Sequence, residues 1–268
     1  MKLAISNIAW SPEEEPQVLE LLATYRVEGI EVAPTVLHPN WQGLTAAAGR
    51  AYRKTLAERD IEVCALQALL FGRPDLNVFD ATCYPAFLEH MDEVAEYGAA
   101  LGAEVLVFGS PKNRRRGQLS MDDAYAQAIP FLRDVGTVCQ RHGCVIGWEH
   151  NPVEYGCDFI TNLADVCELV DKVDHPGVRV HGDAGGLMMT GGAVCGELLA
   201  AADCAHFHIS APFLESVYPH RENYAKYLRL LRDSGYQGWI SIEMKRPELG
   251  LVDVEQSLAS LRELIDTM

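Results

Sequence analysis

Residues 239–243 read Trp239-Ile240-Ser241-Ile242-Glu243, a β-strand pattern that ends on a charged side chain. Side chains alternate between the two faces of a strand. Ile240 and Ile242 therefore share one face, while Ser241 and Glu243 share the other. We expect the isoleucines to pack against helices and the serine and glutamate to point into an enclosed interior.

Short segments rich in Val and Ile recur eight times along the chain, separated by amphipathic helix patterns. Strands that alternate with helices indicate a parallel sheet, and eight such units predict closure into a (β/α)8 TIM barrel of the α/β class. No linker or shift in composition interrupts the pattern, so residues 1–268 are predicted to form a single domain. The predicted strands are 2–8, 27–33, 61–67, 103–109, 143–149, 177–183, 203–209 and 237–243.

Three long connections follow predicted strands: 70–80, 110–120 and the Gly-rich stretch 185–196. They are therefore expected at the C-terminal mouth of the barrel, where barrel enzymes keep their active sites. Lys112 and Arg114 lie in the second connection. Either residue could bind an anionic group of the substrate, and the alternative is a solvated loop.

Composition restricts the class of partner. The formal net charge is −16 and the sequence pI is near 4.9, which disfavours nucleic acid as a partner. The eight cysteines include no C-x-x-C pair, which favours free thiols in a reducing cytosol. No apolar run approaches the ~20 residues of a membrane span. We expect a cytoplasmic protein without a signal peptide or membrane partner, for which a homo-oligomer is one option.

Charged side chains at the ends of several predicted strands point, by the same parity, into the barrel interior. Glu31, Glu149, Asp183 and Glu243 would share this space with His208. Carboxylates in a low-dielectric pocket repel one another, and a bound cation resolves that conflict. We therefore expect one divalent metal ion, with Mn²⁺ preferred and Mg²⁺, Co²⁺ and Zn²⁺ as alternatives.

Four inward-facing polar residues are further candidates for substrate binding, and their roles stay open. Glu31 is either a substrate-binding group or an ion-pair partner. His206 contacts the substrate, supports a metal ligand or packs in the core, and His181 has the same choices. Gln67 ends the third predicted strand.

Four motifs surround the candidate metal ligands, and through them the sequence resembles the xylose isomerase-like barrel superfamily. That group includes ketose 3-epimerases, sugar phosphate isomerases and epimerases, hydroxypyruvate isomerase, inosose dehydratase and endonuclease IV. The resemblance covers essentially the whole chain. The motifs are Gly147-Trp148-Glu149-His150-Asn151, His181-Gly182-Asp183, His206-Phe207-His208-Ile209-Ser210 and Ile240-Ser241-Ile242-Glu243-Met244-Lys245.

The resemblance implies that Glu149, Asp183, His208 and Glu243 bind the metal, and that Glu149 and Glu243 are also the catalytic acid/base pair. It implies a metal-dependent isomerase or epimerase that acts on a small sugar or polyol. Such an enzyme removes a proton next to a carbonyl and passes through a metal-stabilised enediolate. The alternative is a metal-dependent lyase or dehydratase that acts on a keto-sugar or keto-inositol.

Two positions depart from the ketose epimerase pattern. Gly186 stands where these enzymes usually carry a histidine, and Leu214 stands where they carry an arginine. Both family residues hold substrate oxygens, so the resemblance predicts an intact metal site and a different mode of substrate recognition. Endonuclease IV-type DNA repair and a non-catalytic binding protein are the remaining alternatives; the former would need further histidine ligands and a basic face.

Overall fold

A computed structural model describes residues 1–191 and 203–268. Within them, eight parallel strands close into a barrel in the order β1 to β8, with β1 paired to β8. All eight predicted strands are confirmed; seven are shorter than predicted, and β7 begins and ends one residue later. The strands are β1 Lys2–Ser6, β2 Gly29–Val32, β3 Glu62–Leu66, β4 Val105–Phe108, β5 Val145–Glu149, β6 Val178–Asp183, β7 Cys204–Ser210 and β8 Trp239–Glu243.

Helices surround the barrel and bury one face against it. In the described residues none is both long and apolar enough to cross a membrane. They are α1 Glu15–Thr24, α2 Pro34–Leu37, α3 Ala46–Ala57, α4 Tyr84–Leu101, α5 Met121–Arg141, α6 Leu163–Val173, α7 Ala184–Thr190, α8 Arg221–Asp233 and α9 Leu251–Asp266.

Helix α7 corrects one expectation, because the sequence predicted a long connection over 185–196. Glycine disfavours a helix, but the Asp183 side chain caps this one by accepting a hydrogen bond from the Gly186 N–H at 2.6 Å. Ala184 to Leu187 are also buried, so packing stabilises the turn. The rest of that stretch, including Cys195, lies outside the described residues.

The strand parity predicted from residues 239–243 is found in the barrel. Ile240 and Ile242 belong to the large core between the strands and the helices. Ala4, Ala65, Val105 and other small residues fill the lower interior, packed against Trp239. Apolar packing below leaves the polar strand ends gathered above it, at the mouth.

Candidate metal centre and active site

Four strand-end residues converge at the C-terminal mouth of the barrel: Glu149 of β5, Asp183 of β6, His208 of β7 and Glu243 of β8. One side-chain nitrogen or oxygen of each lies within 4.8 Å of those of the other three. His208 Nδ1 is 3.1 Å from Glu243 Oε2 and 3.8 Å from Glu149 Oε1. The structure thus brings together the four residues for which the sequence predicted a metal, with His208 Nδ1 turned toward two of the carboxylates.

Neighbouring hydrogen bonds hold Asp183 in place. Its Oδ1 accepts from the Gly186 N–H, and its Oδ2 accepts from the Ser210 hydroxyl. Ser210 Oγ in turn accepts from the Gly185 N–H at 2.8 Å. The backbone at the start of α7 and the end of β7 therefore fixes the direction of this carboxylate.

The electrostatics of this cluster call for a cation. Burial raises the pKa of Glu149 well above its usual range, and the charges of Asp183 and Glu243 raise it further. Burial and the Glu243 charge raise the pKa of Asp183 to about 6. His208 Nδ1 is buried and makes no hydrogen bond. One nitrogen and several carboxylate oxygens suit a divalent ion, so these residues fit a metal centre.

Beneath the cluster lies a second polar layer that contains three of the predicted substrate-binding residues. Glu31, His181 and His206 are fully buried. Glu31 Oε1 is 2.9 Å from His208 Nε2 and 3.5 Å from His206 Nε2. The His181 and His208 rings meet edge to face, with centroids 4.2 Å apart. These three side chains support the metal-ligand cluster from below, and their predicted contact with substrate stays a prediction.

The other three predicted substrate-binding residues have different surroundings. Gln67 lines the cavity above the cluster and donates to Ser6 Oγ. Lys112 is exposed on a short turn. Arg114 is fully buried, and its Nη1 donates to the Glu149 carbonyl at 2.6 Å. Among the three, Gln67 is the one that faces the cavity.

The cavity has a volume of about 360 Å³ and opens above the metal-ligand cluster. Pro111, Tyr155, Phe213 and Leu214 form an apolar wall, and the described lining residues include no lysine or arginine. Phe213 is 55% exposed. Tyr155 supports it by accepting a hydrogen bond from the Phe213 N–H at 2.9 Å and by an edge-to-face ring contact. This wall was not predicted from the sequence. The signal that could have indicated it is the position of Phe213 just after β7, the strand that carries the candidate metal ligand His208.

Strained backbone conformations occur at this cavity as well as elsewhere in the described chain. Four non-glycine lining residues have positive φ angles: Ala68 at 53°, Ser110 at 36°, Phe213 at 60° and Leu214 at 56°. Such conformations cost about 1–3 kcal/mol each and cluster at functional sites. These four positions therefore lie in the same region as the carboxylate cluster.

Two glycines make room for polar side chains of the site. A Cβ atom on Gly109 would lie 2.2 Å from Glu149 Oε2, so only glycine lets that carboxylate reach its position. A Cβ atom on Gly186 would lie 2.5 Å from Nε2 of His150. Buried His150 therefore fills the space beside Gly186, the position that departs from the histidine of the ketose epimerase pattern.

Comparison with known protein families matches residues 19–265 to the family described as xylose isomerase-like TIM barrel. The chain belongs to this family. Nearly the whole barrel lies inside the match, in agreement with the resemblance found in the four sequence motifs. A search of curated protein sequences finds no significant match.

Solved structures of this family share the fold at low sequence identity. 3-Keto-D-glucoside 4-epimerase from E. coli is 19% identical with a TM-score of 0.75, over 98% of this chain and 99% of that one. D-psicose 3-epimerase from Clostridium cellulolyticum H10, solved with D-tagatose, is 13% identical with a TM-score of 0.76, over 100% and 98%. The IOLI protein, solved with a zinc atom, is 17% identical with a TM-score of 0.72, over 99% and 96%.

Proposed function

We propose that this chain is a divalent-metal-dependent isomerase or epimerase that moves a proton on the carbon beside the carbonyl of an uncharged sugar or polyol. The observation that carries the proposal is the placement of Glu149 and Glu243. They stand on β5 and β8, which are not paired with each other, and both carboxylates lie within 4 Å of His208 Nδ1. Two carboxylates that border one point from different strands suit the removal and return of a proton.

The metal centre would be held by Glu149, Asp183, His208 and Glu243. When bound, a divalent cation supplies positive charge that polarises a carbonyl and stabilises the negative charge that develops on its oxygen. Mn²⁺ is our first choice for this donor set, with Mg²⁺, Co²⁺ and Zn²⁺ as alternatives. The zinc atom bound in the similar IOLI structure supports a divalent ion as the cofactor.

The two glutamates are assigned the proton transfers. Burial and neighbouring carboxylates raise the pKa of Glu149 in the metal-free chain. A bound cation would offset that repulsion and keep this carboxylate ionised and able to accept a proton. Arg114 donates to the Glu149 carbonyl, which fixes the backbone from which this base projects. Glu243 ends β8 on another side of the cluster and would act on the substrate from there.

The cavity lining supports an uncharged substrate. The charged residues among the lining are the carboxylates Glu149, Asp183 and Glu243, all of them assigned to the metal. An anionic group would meet no cationic side chain among the described lining residues. Gln67 and Asn151 offer hydrogen bonds to hydroxyl groups, while Phe213 offers an apolar face to the C–H groups of a sugar ring. The similar epimerases are described as acting on 3-keto-D-glucosides and D-psicose, which are uncharged sugars.

Solvent isotope exchange tests the proposal. Mn²⁺-loaded protein is incubated in heavy water with D-fructose, a 3-keto-glucoside and a keto-inositol, and products are read by NMR. We expect deuterium at the carbon beside the carbonyl of at least one compound, with an epimer or isomer formed. Exchange followed by water loss would instead support the lyase alternative. Absence of exchange with all three, or exchange only with a phosphorylated sugar, would contradict the proposal.

A further inference from the structure

Glu31 is a carboxylate buried in the barrel interior, below the metal-ligand cluster and at 0% exposure. Its contacts are with histidines: Oε1 lies 2.9 Å from Nε2 of His208 and 3.5 Å from Nε2 of His206. Oε2 has no hydrogen-bond partner. A carboxylate is costly to bury unless it is paired, so its pairing with His208 needs an explanation in terms of what that histidine does.

His208 lies between two groups of carboxylates that face its two ring nitrogens. Nε2 faces Glu31, while Nδ1 faces Glu243 at 3.1 Å and Glu149 at 3.8 Å. A neutral imidazole has one N–H and one lone pair, and an ionised carboxylate can only accept a hydrogen bond. Both nitrogens therefore face carboxylates in the metal-free chain. When a cation is held by the cluster, Nδ1 gives it the lone pair, and the remaining N–H stays on Nε2, where ionised Glu31 accepts it.

We propose that Glu31 is a positioning residue for the metal centre: it fixes His208 as the Nε2–H tautomer and aims Nδ1 at the cation. This inference rests on the metal centre of the proposed function but not on the reaction. The second hydrogen bond of a metal-ligating histidine orients its ring, and loss of that partner typically costs 10–100-fold in metal affinity.

The neighbours of Glu31 separate this role from a merely structural one. His206 also contacts Glu31, but at 3.5 Å. It is absent from the four-residue metal-ligand cluster, although Glu31, His206 and His208 are close enough to form a second group of potential ligands. If the contacts between Glu31 and the two histidines served only to stabilise the buried core, loss of His206 would lower metal affinity as much as loss of Glu31. If Glu31 acts through His208, the His206 variant should bind metal much as the wild type does.

Metal affinity, measured without any substrate, is the first test. Zn²⁺ and Mn²⁺ binding to Glu31→Gln and His206→Gln are measured by competition with a chelator. We expect Glu31→Gln to bind 10–100-fold more weakly and His206→Gln to stay within about threefold of the wild type. Equal affinity of Glu31→Gln and wild type would overturn the proposal. So would a wild-type stoichiometry of two ions per chain that falls to one in Glu31→Gln, since Glu31 would then be a ligand.

The tautomer of His208 is the second test, and it does not depend on a Glu31 variant. Histidine ¹⁵N NMR of the Zn²⁺-loaded chain should show His208 with its proton on Nε2 and the metal on Nδ1, while His208→Gln identifies the signal. A proton on Nδ1, or zinc on Nε2, would overturn the proposal even if the Glu31 variant failed to fold. Neither test measures turnover. The metal affinities and the His208 tautomer could therefore be interpreted even if the isotope-exchange assay failed.

Discussion

The two halves of the barrel contribute differently to the site. Strands β5 to β8 carry Glu149, Asp183, His208 and Glu243 at or near their C-terminal ends. Strands β3 and β4 are followed by neutral groups, such as Gln67 and Gly109, that line the same cavity. The second half therefore supplies all the charged residues of the described lining and part of the cavity wall, whereas the first half supplies only neutral lining groups.

The halves depend on each other through two contacts. Gly109 after β4 leaves room for the Glu149 carboxylate, since a Cβ would stand 2.2 Å from Oε2. Glu31 of β2 reaches across the interior to His208 at 2.9 Å. Charge is thus confined to one half of the barrel while the cavity wall draws on both, and each prediction below removes one contribution and asks whether the others survive.

Loss of His208 should have the largest effect. His208→Ala removes the nitrogen donor and leaves Glu149, Asp183 and Glu243 to repel one another without it. We expect the purified variant to lose nearly all of the one divalent ion per chain that elemental analysis should find in the wild type. His220→Ala, in the loop after β7, is the control and should retain the ion. Full metal retention in His208→Ala would contradict the assignment of the metal ligands to the second half of the barrel.

Loss of either proposed base should come next. Glu149→Gln and Glu243→Gln keep the volume and one oxygen, and we expect a rate loss of at least ~10²-fold. One variant is expected to keep deuterium wash-in while losing product, because a single base can return a proton on its own face. Glu154→Gln, an exposed glutamate near the mouth, should behave as wild type. Full activity in both variants would leave these glutamates as ligands only.

Removal of the metal should reveal how much folded-state stability is lost by holding several carboxylates close together. The pKa of Asp183 is raised from 3.8 to about 6 in the folded, metal-free chain, so the folded state holds this proton more tightly than the unfolded state. Stability is therefore lost as pH rises from about 4 through about 6. Two pKa units correspond to about 3 kcal/mol.

Urea denaturation of the metal-free protein measures this cost. Relative to the wild type, the free energy of unfolding of Asp183→Asn should rise by up to about 3 kcal/mol as the pH is raised from 4 to 7.5. Asp171→Asn, an exposed change on α6, should gain nothing over the same range. A pH-independent difference between Asp183→Asn and wild type would show that these carboxylates do not strain the folded state.

The local part of the fold and site could be predicted from sequence. Alternation along β8 placed Ser241 and Glu243 inside because strand parity depends only on neighbouring residues. The same rule brought Asp183 and His208 to the cluster observed in the structure. Family membership, predicted from four motifs, was confirmed over residues 19–265.

The depth of a side chain within the barrel and the shapes of the loops could not be predicted in this way. Strand parity predicts that the Glu31 side chain points inward. It does not predict whether that side chain lies below His208 or beside the cavity. Arg114 follows a strand like Pro111 does, yet its guanidinium is buried 4.8 Å from the Trp148 ring. Both outcomes depend on contacts between residues far apart in sequence. The helix at 184–190 was missed because packing and the Asp183 cap outweigh the low helix propensity of glycine.

The apolar wall gives the smallest and most specific prediction. Phe213 and Phe71 are both exposed aromatic residues in loops that follow strands, at 55% and 69% exposure. Phe213 lines the cavity, whereas Phe71 is absent from the lining. Phe213→Ala should raise KM about two- to tenfold for the uncharged keto-sugar identified by isotope exchange, because an aromatic contact is worth about 0.5–1.5 kcal/mol. Phe71→Ala should leave KM unchanged.

The backbone of Phe213 allows its ring to be separated from its strain. Its φ of 60° suits glycine, so Phe213→Gly relieves the backbone while removing the same ring as Phe213→Ala. Equal KM increases in the two variants, with kcat nearly unchanged, would show that the ring supplies uniform binding. A normal KM in Phe213→Gly would assign the effect of alanine to loop strain. If both variants matched Phe71→Ala, the wall would have no part in recognition, and specificity would rest on Gln67 and Asn151 instead.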